Sequence, residues 1–240
     1  MRSRLPTSSP LNAFAADPPA YLPPPPGSTV VDDARFHLTV SPDGSRAKVC
    51  RLHTVDVFDE IVAQAPSARI VWTTGPHFDD ALRERGCRDQ DPPLTSYITA
   101  LAIDREPPAV DGVEVRRIES DEEHRLGIEV FERGWGTQRP QARLDGEWLA
   151  YVDGEPVAWA GALACEHGLF LTGGVTLPEA RGRGAYRALV RARWDDAVRR
   201  GTPGLVVHAE EPSRRVLERI GFTHVRDVVE LVSGPHRLDA

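Results

Sequence analysis

The chain has 240 residues, of which 40% are hydrophobic and 27% charged, and a formal net charge of -7. This balance fills a globular core of one or two domains, and the acidic total argues against a dedicated nucleic-acid partner. Three cysteines, Cys50, Cys87 and Cys165, are odd in number and far apart, which excludes a disulfide framework and a Cys-x-x-Cys metal pair.

The cysteine usage points to a reducing compartment, so the cytoplasm is the expected location. The apolar stretch over residues 157–165 is too short to span a bilayer. Arg2 and Arg4 are not followed by the apolar run of a signal peptide. The histidines show no metal-ligand spacing, so no metal is expected.

Residues 1–28 are rich in proline and small residues and end in Pro23-Pro24-Pro25-Pro26-Gly27. Proline lacks a backbone donor and favours extended chain, which predicts a tail or stiff arm outside the core. Phe36, Leu38 and Val40 alternate with polar neighbours, Ser41-Pro42-Asp43-Gly44 turns the chain, and Ala47, Val49 and Leu52 follow, which predicts a hairpin. Thr54 or Asp56 caps a helix carrying Val57, Phe58, Ile61 and Val62. Residues 69–73 read as a buried strand, 76–85 as a helix closed by Gly86, and 96–103 as a further strand. Glu106-Pro107-Pro108 reads as a linker.

A second region opens with a strand at Val113, Val115 and Ile118, then a helix over 121–132 that ends at Gly134-Trp135-Gly136. Asp153-Gly154 between 148–152 and 156–165 predicts a hairpin. A strand over 170–177, a helix over 184–200, a strand over 205–209, a helix over 212–220 stopped by Gly221, and a strand over 228–232 complete the pattern. The unit at Arg69–Cys87 and the unit at Gly204–Phe222 share a strand, a proline and a helix with leucine four residues before its closing glycine. Either a duplication or the convergence of two generic amphipathic units accounts for this.

The sharpest chemical feature is Gly173-Gly174-Val175-Thr176-Leu177-Pro178-Glu179-Ala180-Arg181-Gly182-Arg183-Gly184-Ala185-Tyr186-Arg187. It places a glycine- and arginine-rich turn between a strand and a helix. The free N–H groups of a helix's first turn attract anions, and glycine lets backbone approach them closely. Arg181, Arg183 and Arg187 sit where the helix dipole prefers acids, which makes sense when a phosphate occupies the turn. The alternative is a turn with glycines for packing and solvated arginines. A Walker loop is excluded because the only lysine is Lys48, and the Rossmann third glycine falls on Arg187.

Arg181-Gly182-Arg183-Gly184-Ala185-Tyr186 resembles the signature Gln/Arg-x-x-Gly-x-Gly/Ala of the GNAT superfamily of acyl-CoA-dependent N-acyltransferases. Five positions match, and Tyr186 departs at the sixth. The strand and helix that follow, and Gly221-Phe222, agree with the family's second motif, so the resemblance covers residues 113–232. It implies an α/β fold with a mixed, mostly antiparallel, splayed sheet flanked by helices. It implies acetyl-CoA as cosubstrate, with the backbone of Gly174, Val175 and Thr176 pairing with the pantetheine arm. Backbone N–H groups from Gly182, Arg183, Gly184, Ala185, Tyr186 and Arg187 would hold the diphosphate, provided that the Tyr186 ring turns away. Residues 1–28 are then a tail, 29–108 a degenerate GNAT-like unit and 109–240 the acetyltransferase domain.

The implied reaction is transfer of an acetyl group to a primary amine of a small molecule, with neither nucleic acid nor membrane as partner; the reading admits a homodimer. An alkylamine of pKa about 10.4 gives up its proton at a cost of about 4.6 kcal/mol at pH 7, which calls for a base. Glu210 is the first candidate, with His208 and Glu211 beside it. Many family members protonate the leaving thiolate with a tyrosine in the last helix, where this chain has Leu217. Leu217 therefore favours a second reading, an inactive acyl-CoA-binding or regulatory protein. Cys165-Glu166-His167 is contiguous on an expected hairpin, which does not create the geometry of a nucleophile and its base. The segment Phe131–Gly136 either lines the acceptor pocket or anchors the core through Trp135. Arg183, Arg187 and Arg191 form a helical stripe that would suit nucleic acid, but Asp195 and Asp196 oppose it.

Overall fold

The computed structural model describes residues 9–90, 97–138 and 143–235. In chain order the elements are α1 (Pro10–Ala16), β1 (Thr29–Asp32), β2 (His37–Val40), β3 (Arg46–Cys50), α2 (Phe58–Gln64), β4 (Arg69–Thr74), α3 (Asp79–Glu84), β5 (Arg88–Asp89) and β6 (Tyr97–Ile103). They continue with β7 (Glu114–Arg117), α4 (Asp121–Trp135), β8 (Gly146–Val152), β9 (Glu155–Cys165), β10 (Gly168–Thr176), α5 (Ala185–Arg199), β11 (Leu205–Ala209), α6 (Glu211–Ile220) and β12 (Thr223–Ser233). They form two compact units: residues 1–101 with 208–215 and 224–240, and residues 102–207 with 216–223.

In the first unit β1, β2 and β3 are antiparallel, β4 lies parallel to β3, and β12 pairs antiparallel with β4. Alternate residues of β2, β3, β4 and β12 point to one face, where Leu38, Val49, Trp72 and Leu231 meet Ile61 of α2 and Leu82 of α3. Trp72 stacks on Phe58 with ring centroids 4.8 Å apart, and its indole N–H donates to Ser233 Oγ at 2.8 Å. Strand β12, placed by the sequence pattern at the end of the second region, thus completes the sheet of the first. The Glu230 carboxylate accepts from Thr73 Oγ1 and Gln90 Nε2, each at 3.0 Å, and pairs with Lys48 at 3.5 Å.

The proline-rich start is not a free arm throughout. Ser9 caps α1 through Asn12 N–H, Pro10 fits the first helical turn, and Phe14 and Ala15 are fully buried. Asp17 accepts from Arg51 N–H at 2.8 Å and from the Arg226 guanidinium at 2.9 Å. Local proline content forecasts backbone stiffness but says nothing about a surface elsewhere that takes up a phenylalanine. Thr54, rather than Asp56, is the cap near α2, accepting from Asp56 N–H at 3.3 Å.

In the second unit β7, β8, β9 and β10 form an antiparallel meander, with β11 parallel to β10. The β8–β9 turn has positive φ at both Asp153 and Gly154, as Asp-Gly predicts. Helix α4 begins with a reciprocal cap between Ser120 and Glu123 and ends at left-handed Gly136. Two glycines let α4 lie close to the sheet. A Cβ on Gly127 would stand 2.8 Å from the Trp159 ring, and one on Gly134 would overlap Val175. The buried His124 imidazole meets Glu147 Oε2 at 2.8 Å between α4 and β8.

The helix closures behind the internal repeat match in detail. Cys87 N–H donates to Leu82 O, and Phe222 N–H donates to Leu217 O, both at 3.1 Å, and both leucines are fully buried. Leu217 is therefore a core residue.

Candidate acyl-CoA site

Strand β10 departs from its ladder with β9 between Thr172 and Val175. The bulge rests on two successive glycines with different neighbours. Gly173 has φ +64°, and the Trp159 ring fills the space of its missing side chain. Gly174 leaves room for the Tyr186 ring, whose Cε2 is 2.7 Å from where a Cβ would sit. A bulge removes backbone groups from the ladder and re-aims the strand. On the other edge of β10, the parallel register with β11 ends at Phe170↔Val206. Residues 174–176 lie beyond it, so their backbone is suited to pairing with an extended ligand.

After β10, Leu177 N–H is held by Val157 O at 2.9 Å, and a tight turn over Pro178–Ala180 leads to Gly182 and Gly184, with φ of +82° and +92°. Gly184 is the cap position of α5. No side chain caps this end, and no acid stands in its first turn. The helical ladder opens with Ala188 N–H to Gly184 O at 3.0 Å, so the N–H groups of Ala185, Tyr186 and Arg187 precede it. Gly182 has open space where a side chain would be, which leaves its backbone accessible. Arg181 and Arg187 are exposed and make no ion pair among the described residues, whereas Arg183 is held by Asp153 at 2.7 Å.

Tyr186 turns inward against Gly174, which answers the steric requirement set by its place in the motif. Burial pushes its phenol pKa up, so it remains protonated at neutral pH. Beneath it, Arg193 is wholly buried, donating from Nε to Leu189 O at 3.0 Å and from Nη1 to Gly161 O at 3.2 Å. Burial lowers the Arg193 pKa to about 10, so it stays charged and ties α5 to β9.

The residues expected to hold the cofactor, Gly174 to Thr176 and Gly182 to Arg187, lie in the second unit around one bulge and one helix start, with the Arg183 N–H donating to Ala180 O at 3.4 Å. His208 and Glu210 fall in the first unit. His208 meets Ala15 O at 2.9 Å through Nε2, which donates. Burial lowers its pKa to about 4, so it is neutral at pH 7. Glu210 is half-buried at the junction of β11 and α6. The Cys165 thiol is pushed up by burial, which removes the thiolate a nucleophile needs. Among the described residues no group of three His, Cys, Asp or Glu side chains could hold a metal ion, and no helix is long and apolar enough to cross a membrane.

The His208 environment has a measurable consequence. Its folded pKa lies below the unfolded value of about 6.5, so protons favour the unfolded chain. Its stability contribution is complete above pH 6.5 and declines as pH falls toward 4, by about 3 kcal/mol in all. Urea unfolding at pH 7.5 and pH 4.5 should show a loss that is smaller in His208→Gln by most of this amount.

The acetyltransferase (GNAT) family model matches residues 113–222, the segment holding the bulge, the glycine turn and α5. Residues 113–222 form a GNAT domain. A GCN5-related N-acetyltransferase from Kribbella flavida shares this fold at 18% identity, with 97% of this chain and 99% of that chain covered and a TM-score of 0.70. A putative GNAT acetyltransferase from Novosphingobium aromaticivorans aligns at 16% identity, 97% and 100% coverage and a TM-score of 0.58. A tandem GNAT protein from the clavulanic acid biosynthesis pathway aligns at 14% identity, 97% and 90% coverage and a TM-score of 0.54. Comparison with curated protein sequences gives no match. The sheet of the GNAT domain is mixed, mostly antiparallel and splayed where β10 and β11 part.

The first unit repeats the strand–helix–strand order with β3, α2 and β4, but its strands stay paired over four positions, Arg46↔Arg69 to Val49↔Trp72. The turn after β3 has Arg51 at φ +50° in place of glycine, and Thr54 caps the turn ahead of α2. The first turn of α2 carries Asp59 and Glu60, which disfavour an anion there.

Proposed function

We propose that the chain transfers an acetyl group from acetyl-CoA to a primary amine of a small molecule. The observation that carries this reading is the uncapped start of α5, with open Gly182, left-handed Gly184 and unpaired Arg181 and Arg187 beside a bulged strand. These groups fit a diphosphate: three backbone donors at the helix start stand beside two exposed cations. Backbone of Gly174 to Thr176 would align the pantetheine arm. Acetyl-CoA supplies an activated thioester carbonyl.

The amine must shed its proton before attack. Glu210 is the proposed base, half-buried at the junction of β11 and α6, whereas His208 is engaged through Nε2 with Ala15 O. The first unit is a degenerate GNAT-like unit without its own cofactor turn. A second reading, an acyl-CoA binder without turnover, is favoured by buried Leu217, which offers no proton to a leaving thiolate.

Calorimetry with acetyl-CoA and a thiol assay for released CoA over an amine panel test both readings. Binding with turnover supports the transferase, with kcat reduced in Glu210→Gln. Binding without turnover supports the second reading, and no binding at millimolar ligand overturns both. The arginines separate further. Arg181→Ala and Arg187→Ala should each weaken CoA binding about fivefold to tenfold, roughly 1 kcal/mol of charge-assisted contact. Arg183→Ala should change it less than twofold, since its guanidinium already serves Asp153.

A further inference from the structure

Only three large apolar side chains among the described residues are exposed: Val30, Val198 and Trp135, the last at 48%. The valines lie singly on β1 and the outer part of α5. Trp135 ends α4, whose Gly134 is seated on Val175 at the β10 bulge. Its ring stacks on Phe131 with centroids 6.1 Å apart and 28° between the planes. Phe131 in turn meets Trp159 edge to face at 5.4 Å, and Trp159 lies against Gly173 of the bulge. A continuous run of rings thus leads from the bulge to one solvent-facing indole. Left-handed Gly136, whose N–H donates to Glu132 O at 2.8 Å, fixes the end of the helix that carries it.

We infer that Trp135 is the specificity wall for the acceptor, and that the acceptor is an amine carrying an aromatic ring. The inference rests on the transferase reading, because the bulge is where the thioester would lie. A core anchor would bury its indole; this one is presented. A flat ring gains most from stacking on an indole backed by a second ring, and an amine not yet deprotonated gains cation–π attraction on the same face. An aliphatic chain gains neither.

Equilibrium dialysis of 2-phenylethylamine and n-hexylamine against the full chain in the presence of CoA tests this without requiring turnover. The aromatic amine should bind about tenfold tighter. Trp135→Ala should erase that preference by weakening the aromatic amine alone, Trp135→Phe should retain most of it, and calorimetric CoA binding should be unchanged in both. Where turnover is measured, the loss in Trp135→Ala should fall on KM, with kcat within about twofold. Equal or absent binding of the two amines, or a preference surviving in Trp135→Ala, overturns the inference. CoA binding measured in the same samples shows whether the transferase reading stands without it.

Discussion

In a chain beginning at Asp111, residues 224–233 are expected to lose their strand, although the family match lies entirely within what remains. The reason is β12. Its residues Val229 and Leu231 are fully buried in the cluster built by β2, β3, β4, α2 and α3. Its backbone pairs with β4 over five positions, Val229↔Thr74 to Ser233↔Ile70. Exposing the two side chains costs roughly 3–6 kcal/mol, and the lost strand bonds add about 1 kcal/mol each. Amide hydrogen exchange across residues 224–233 of the truncated chain is the measurement. Protected amides there would show that β12 does not need β4.

This outcome also marks where sequence reading stopped. The glycine turn, the Asp-Gly hairpin and the two leucine-closed helices were legible because each depends on local backbone chemistry. The partner of β12 was not, because Val228 to Val232 carry the same apolar pattern whichever strand they join. Phe14 was hidden for a similar reason: proline content describes its neighbours in sequence, whereas its burial depends on side chains far along the chain. The bulge had a trace in Gly173-Gly174. Yet only coordinates show that the two glycines yield to different rings, Trp159 and Tyr186. The environment of His208 was illegible as well. Its low pKa comes from burial, which outweighs the opposing pull of Ala15 O, a backbone acceptor 193 residues away.

The departure of Tyr186 from the family signature leads to the other large effect. A small residue at this position would leave a void over β10; the tyrosine fills it, and Gly174 makes the space. Gly174→Ala puts a methyl 2.7 Å from Tyr186 Cε2, a distance that side-chain carbons do not sustain. The ring packs on the first turn of α5 above Arg193, so relief must come from the bulge or from the helix start, and both belong to the proposed cofactor site. Overpacking of this kind costs about 1–3 kcal/mol, and CoA affinity should fall at least tenfold. Tyr186→Ala alone should cost about 3 kcal/mol or more in stability through the cavity it leaves. In the Gly174→Ala, Tyr186→Ala double variant the methyl enters the vacated space. The two losses should therefore fail to add by about 1–3 kcal/mol, the range found for residues in contact. Urea denaturation and CoA calorimetry on the four proteins of the cycle give this coupling directly. Strict additivity would mean that the ring and the glycine act independently, and that the sixth position of the motif is free to vary without compensation in the strand.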